Sequence, residues 1–272
     1  MRFLICLISL LFVVGQVAGQ QVDTLRIDGS NGVKPLVVDL ATAFEAIYPK
    51  IHVLIGDGMN TSKRIDALMN EDIDIAMASH GLDIPRFTQM GLQVHWFAQM
   101  AVVFGTHQSV QVQDIRMEDL CAIYEGKVDN WQALGGPNLP IIALARPSDE
   151  VDTEVIAAAL ACFENLEEQK HLQFHQKSGP LARALQNTNG SIGMCAAVRV
   201  AQSEGKIQAL AIDGVEPSPK MLKKGKYPFY RNAYLLTKGR MSDAEKRFLH
   251  FIRSKTGKRI LESNQAIVPK AK

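Results

Sequence analysis

Apolar residues fall on alternate positions at Leu25 and Ile27, and the beat stops at Asp28-Gly29-Ser30-Asn31. This predicts a short strand, a glycine turn and the opening of a helix that runs from Val33 to Ile47, with Ser30 or Asn31 as its cap. Such a corner aims backbone N–H groups and the positive end of a helix dipole at one spot, where an anion can sit. An ordinary strand-to-helix turn has the same local sequence, so the corner alone decides nothing. The form then returns. Ile51 to Ile55 reads as a second strand, Gly56 to Ser62 as its polar loop, and Ile65, Leu68 and Met69 as the apolar face of the next helix. Ile73 to Ala78 reads as a third strand ending in Ser79-His80-Gly81. Repeated strand, small-residue loop and helix predict an α/β fold with mostly parallel sheets, whose loops converge at the carboxyl ends of the strands.

The run Val94 to Gly105 is too long for one ordinary strand and is expected to pass between two lobes. Tyr234 to Thr237 is expected to make a second crossing. The lobes are placed at 20–104 plus 232–272 and at 105–231. Within the second lobe, Met117 to Tyr124 predicts a short helix, Pro140 to Ala145 a strand, and Arg146 to Thr153 its loop. The helix behind that loop is expected to reach about Glu168. A polar helix follows near Leu181 to Gln186, then a small-residue loop at Asn189 to Met194 and a strand from Ile207 to Ile212. Asp243 to Ser254 and Lys258 to Ser263 predict the last helices. Trp96 and Trp131 are expected in the core.

The N-terminus changes the compartment. Arg2 precedes an apolar stretch from Phe3 to Val14, and the small residues around Val17 and Gly19 predict a cleaved secretory signal over residues 1–19. The expected location is periplasmic. The formal charge of +2 argues for neither a nucleic-acid surface nor a membrane surface, so no nucleic acid is expected as a partner. Cys121, Cys162 and Cys195 remain after cleavage. An exported chain allows one disulfide among them, although buried small apolar packing is the expected role of all three.

The strand-end loops gather Ser30, Asn31, Thr61, Ser62, Ser79, Arg146, Ser148 and Thr153. Hydroxyls, backbone amides and an arginine suit an oxyanion, to which a guanidinium donates a fork of hydrogen bonds. The set has no nucleophile with a base, no Walker loop and no paired acid and base, so no enzyme, cofactor or metal is expected. His171 and His175, four apart on an expected helix, lack a third ligand. Arg199, Lys206, Lys220, Lys223, Lys224 and Lys226 make the region before Tyr227 basic, for which a solvated face is the ordinary explanation and a partner-facing patch the alternative.

Several stretches together resemble a known family. They are Ile27 to Ser30; Ile123-Tyr124-Glu125-Gly126-Lys127-Val128-Asp129-Asn130-Trp131 with Leu134-Gly135-Gly136-Pro137; Gly190 to Gly193; Ala211 to Val215 with Pro217; and Gly225-Lys226-Tyr227-Pro228. The chain resembles the phosphate-type substrate-binding proteins of ABC transporters, periplasmic binding proteins of the type 2 fold with two α/β lobes and a hinge. The resemblance implies a monomer that closes on phosphate or a related oxyanion and presents it to a membrane permease. Carried over by position, it implies Ser30, Thr61, Ser62, Ser79, Arg146 and Thr153 as ligand-binding residues. Two departures stand out: Ser79-His80 after the third strand, and Glu150-Val151-Asp152-Thr153 where the family commonly has Gly-Ser-Gly-Thr. A carboxylate within ~4 Å of a bound anion costs on the order of 4 kcal/mol at an effective dielectric of about 20. Phosphate therefore requires that Asp149, Glu150 and Asp152 point away. The alternative is a degenerate binding protein acting as a sensor or an envelope interaction module.

Overall fold

The structure is a computed structural model that describes residues 22–79 and 81–269. The expected signal over 1–19 and His80 lie outside the described residues. In chain order the strands and helices begin with β1 (Asp23–Gly29), α1 (Lys34–Ile47), β2 (Ile51–Ile55), α2 (Thr61–Met69), β3 (Ile75–Ala78), α3 (Ile84–Gln89) and β4 (Leu92–His107). Next come β5 (Asp114–Ile115), α4 (Met117–Tyr124), β6 (Ile142–Ala145), α5 (Val151–Ala157), β7 (Gln173–Phe174), α6 (Ser178–Asn187) and β8 (Ser191–Ala196). The chain continues through α7 (Ala197–Ala201), β9 (Ile207–Ala209), β10 (Ala211–Ile212), α8 (Pro219–Lys223) and β11 (Tyr230–Lys238), and closes with α9 (Asp243–Arg253), α10 (Lys255–Ser263) and β12 (Ala266–Ile267).

The sheet runs β2-β1-β3-β11-β4-β8-β6-β7. β1 pairs in parallel with both β2 and β3, and β6 pairs in parallel with β7 and β8, as the repeated strand-loop-helix form requires. The centre differs. β11 lies antiparallel between β3 and β4, and β4 is one continuous strand that changes partner along its length. Up to Ala101 it pairs with β11, and from Val102 it pairs with β8 and then β9. The apolar run expected to exceed one ordinary strand is thus a single long strand shared by both halves of the sheet, and the fold is two-lobed and mixed α/β.

Each lobe has its own packed interior. In the first, α1 lays Leu36, Leu40 and Phe44 on the sheet, and Phe44 meets Phe248 of α9 edge to face at 5.2 Å between ring centroids. Full burial of such a ring contributes about 1.5–3 kcal/mol, and the edge-to-face pair about 1 kcal/mol more. α9 is fixed by a capping box in which Ser242 and Glu245 exchange hydrogen bonds. In the second lobe Phe104, Tyr124, Phe163 and Phe229 pack around one another. Their polar atoms are satisfied: Tyr124 donates to the Leu144 carbonyl at 3.0 Å and fully buried Trp131 to the Gly190 carbonyl at 2.8 Å. Trp96 is only half-buried, against Tyr234.

Several sequence-based expectations are corrected. α1 starts after Val33 with no side-chain cap; the Ser30 carbonyl instead accepts the N–H groups of Val33 and Lys34. The helix after Arg146–Glu150 is short, because Leu160 and the segments near Cys162 and Leu166 turn into separate 3-10 turns. His171 and His175 flank β7 and share no helix: His175 N–H donates to the Ala145 carbonyl, extending the sheet edge. Two cysteines are not simple packing residues. Cys121 of α4 and Cys162 form a disulfide with Cα atoms 5.7 Å apart, which straps the short helix to the 3-10 turn; Cys195 is free and buried.

Candidate functional site

The loops at the ends of β1, β2, β3 and β6 surround a cavity of about 480 Å³ at the junction of the lobes. Its first wall is built by the glycine corner. Gly29 has φ +134°, and a Cβ there would overlap the Met77 backbone, so only glycine lets the corner pass so close to β3. Ser30 N–H then donates to the Met77 carbonyl at 2.9 Å. Asp28 turns inward and accepts from Gly29 N–H at 2.6 Å and Gly58 N–H at 2.9 Å, which laces the first loop to the second. Met59 N–H completes the lacing by donating to the Gly29 carbonyl at 2.8 Å.

The sequence-based site residues divide. Ser30, Ser79 and Arg146 line the cavity. Ser79 is buried, and its hydroxyl has no hydrogen-bond partner among the described residues. Ser62 is turned aside, donating to Asn60 Oδ1 at 3.1 Å beside the α2 cap, and does not line the cavity. Thr61 stands at the first position of α2. Thr153 is fully buried beneath the wall; its hydroxyl donates to the Arg146 carbonyl at 3.2 Å, so it supports the arginine's backbone and touches no cavity surface.

The cavity also has residues the sequence left unmarked: Arg64 of α2, Arg231 at the start of β11, and Gln176, Lys177 and Ser178 at the start of α6. Arg231 carries no local signal, because the apolar pattern of the crossing strand begins only near Tyr234. Ser178 did have a signal, a serine before Gly179-Pro180 at a helix opening. Arg64 had none, being one cation on a polar helix. Burial pushes its guanidinium below the usual arginine range.

The carboxylates of the fourth loop do not point away. Glu150 forms an ion pair with Arg146, whose Nη2 also donates to the Gln176 carbonyl at 3.4 Å. Asp152, 1% exposed, accepts from Arg231 Nη1 at 2.8 Å and places its second oxygen 3.8 Å from Arg146 Nη1. Arg231 Nη2 in turn donates to the Gly32 carbonyl at 2.7 Å. The arrangement compensates charge: the lining holds four cations, Arg64, Arg146, Lys177 and Arg231, against the three carboxylates Asp149, Glu150 and Asp152. An anion entering here meets Glu150 and Asp152 already engaged by guanidinium groups, which lowers the cost that a bare carboxylate would impose. Asp149 stays exposed at the rim. No cluster of His, Cys, Asp and Glu suited to a metal occurs among the described residues.

Comparison with known proteins fits this geometry. The model of the PBP superfamily domain matches residues 15–256. The chain is 26% identical over 252 residues to the phosphate-binding protein PstS of Bacillus subtilis (strain 168), covering 90% of this chain and 80% of that one. It is 27% identical over 248 residues to PstS of Borreliella burgdorferi, covering 88% and 87%. Among solved structures, it superposes with a TM-score of 0.74 and 26% identity on a Clostridium perfringens chain solved with bound phosphate and assigned as a phosphate ABC transporter substrate-binding protein, covering 91% of this chain and all of that one. An ABC-type phosphate transport receptor from Vibrio cholerae, at 20% identity and TM-score 0.61, shares the fold. With a two-lobed mixed sheet, a loop-lined cavity at its junction and a family match across most of its length, the chain belongs to the PBP superfamily.

Proposed function

We propose that this chain is an exported solute-binding protein that captures phosphate or a related oxyanion between its lobes, 20–104 plus 232–272 and 105–231, for an ABC-type transporter. The observation that carries the reading is the grouping of Ser30, Ser79 and Arg146 on one cavity, with the Ser79 hydroxyl and Arg146 Nε lacking hydrogen-bond partners among the described residues. Buried donors without partners are costly unless a ligand supplies acceptors. The relatives named phosphate-binding proteins supply the ligand class. Export rests on the leader sequence, and among the described residues no helix is long and apolar enough to cross a membrane. Titration calorimetry with phosphate, sulfate, molybdate and arsenate tests the reading, and absence of heat from all four overturns it.

A second reading is favoured by one observation: Arg146 is engaged by the chain's own Glu150. A cleft whose arginine is occupied internally suits a binding protein that has become a sensor or an envelope interaction module. Pulldown from envelope extracts that yields a stable protein partner, together with silent calorimetry, selects it over transport.

A further inference from the structure

Helix α6 opens onto the cavity through Lys177 and Ser178. No side chain caps this ten-residue helix, so its first N–H groups and the positive end of its dipole lack an internal acceptor from a side chain. Ser178 is 4% exposed, lines the cavity, and has a hydroxyl without a hydrogen-bond partner among the described residues. A separate observation lies beside it. Arg183 Nη1 and Arg199 Nη2 approach within 3.6 Å and 4.0 Å of the point where a Cβ on Gly179 would sit, so two guanidinium groups flank the same turn. No ion pair within 4.0 Å joins either arginine to a carboxylate among the described residues, and Arg199 Nε is buried without a partner. Burial pushes Arg199 below its usual range; Arg231 and Arg183 push in the same direction, and Cys195 and Asp152 oppose them. The carboxylate nearest in charge effect, Asp152, is already bound to Arg231, so these two guanidinium groups have no ion-pair partner of their own and an anion beside them is favoured.

Through Lys177 and Ser178 this turn lies on the same cavity as Ser30, Ser79 and Arg146, while Arg183 and Arg199 stand beside Gly179 outside that lining; the volume of about 480 Å³ falls in the range of small-molecule sites. We propose that the first turn of α6, with Lys177, Ser178, Arg183 and Arg199, is a second anion subsite continuous with the cleft, and that the ligand class carries two linked anionic groups, as a diphosphate does. The proposal rests on the oxyanion reading of the cleft and narrows it. One group occupies the end formed by Ser30, Ser79 and Arg146, and the other occupies the α6 end.

Calorimetry of the purified chain with orthophosphate and with pyrophosphate, in magnesium-free buffer, tests it. Pyrophosphate is expected to bind at least about tenfold more tightly. Arg183→Ala and Ser178→Ala are each expected to weaken pyrophosphate by about tenfold and orthophosphate by less than about twofold, the loss of one charged hydrogen bond being felt by one ligand only. Arg183 is exposed, so its replacement leaves the core intact, and thermal melting confirms that both variants are folded. Orthophosphate binding as tightly as pyrophosphate, or variants that weaken both ligands equally, overturns the subsite while leaving the oxyanion reading standing. Absence of binding by both ligands to the unmodified chain overturns the subsite, and the oxyanion reading falls with it only if sulfate, molybdate and arsenate are silent as well.

Discussion

Asp152 of α5 and Arg231 of β11, 79 residues apart in sequence, form a buried ion pair at 2.8 Å, and the same guanidinium reaches the Gly32 carbonyl at 2.7 Å. One arginine thereby joins the fourth loop to the turn that precedes α1. The carboxylate that reads as an obstacle to anion binding is also what holds Arg231 at the cavity wall. Removing one partner of a buried pair leaves the other uncompensated, so Asp152→Ala is expected to destabilise the fold by about 3–5 kcal/mol, measured by urea denaturation. Asp152→Asn keeps an acceptor for Arg231 and should cost less. Equal losses from the two variants would assign the whole effect to the lost charge and none to the hydrogen-bond acceptor.

Arg146 and Glu150 are expected to act in opposite directions on ligand affinity. Arg146→Ala should weaken any bound oxyanion by about 1.5–3 kcal/mol, the worth of a charged hydrogen bond. Glu150 competes for that guanidinium. Freeing it with Glu150→Gln should tighten binding by up to about 1 kcal/mol, roughly fivefold, the scale of a partly exposed pair. Calorimetry on both variants checks the pair of signs, and weaker binding in Glu150→Gln would mean that the carboxylate orients Arg146 for the ligand.

The disulfide Cys121–Cys162 closes a loop with a sequence separation of 41. Loop-closure entropy for that length gives a stabilisation of about 4 kcal/mol, so reduction should lower the melting temperature markedly. Cys195 is fully buried, and burial, with a smaller contribution from Asp152, pushes its thiol up to about 12. Thiol titration of a chain spanning residues 20–272 should therefore find no reactive cysteine when folded and one after denaturation without reductant. Labelling of the folded chain would contradict the buried placement.

Two histidines set an expected pH dependence. Burial, and then Arg253, lowers His95; burial, and then Arg146, lowers His175. The unfolded chain, with histidines near pKa ~6.5, binds protons more readily than the folded one. Stability should therefore fall as pH drops below ~6.5, and the loss should level off below the folded values. Urea denaturation at several pH values between ~7.5 and ~5 should show the decline, and His95→Gln with His175→Gln should flatten it. An unchanged slope in the double variant would assign the effect to other groups.

The local units are written in the chain's own periodicity. The period-two beat at Leu25 and Ile27, the glycine corner and the helical period through Phe44 specify β1 and α1 because side-chain direction follows backbone period wherever one face is buried. Ser30, Ser79 and Arg146 were legible for the same reason: a loop that follows a parallel strand must open at its carboxyl end. Helix lengths were less legible. α5 carries no local stop signal strong enough to announce that the chain breaks into 3-10 turns after Ala157, and the turn that places Cys162 beside Cys121 is settled by packing under Phe163.

What the fourth loop does with its charges is settled by contacts between distant segments. Nothing within a few residues of Asp152 announces that Arg231 will neutralise it, since the partner arrives from a strand that returns between the lobes. Nor does the sequence show that Thr153 supports the Arg146 backbone while Ser178, Arg183 and Arg199 gather at a helix opening. Period and turn chemistry are short-range and are written in neighbouring residues. Charge compensation and cavity lining depend on distances of a few ångströms between segments far apart in the chain, and those distances exist only once the sheet has been assembled.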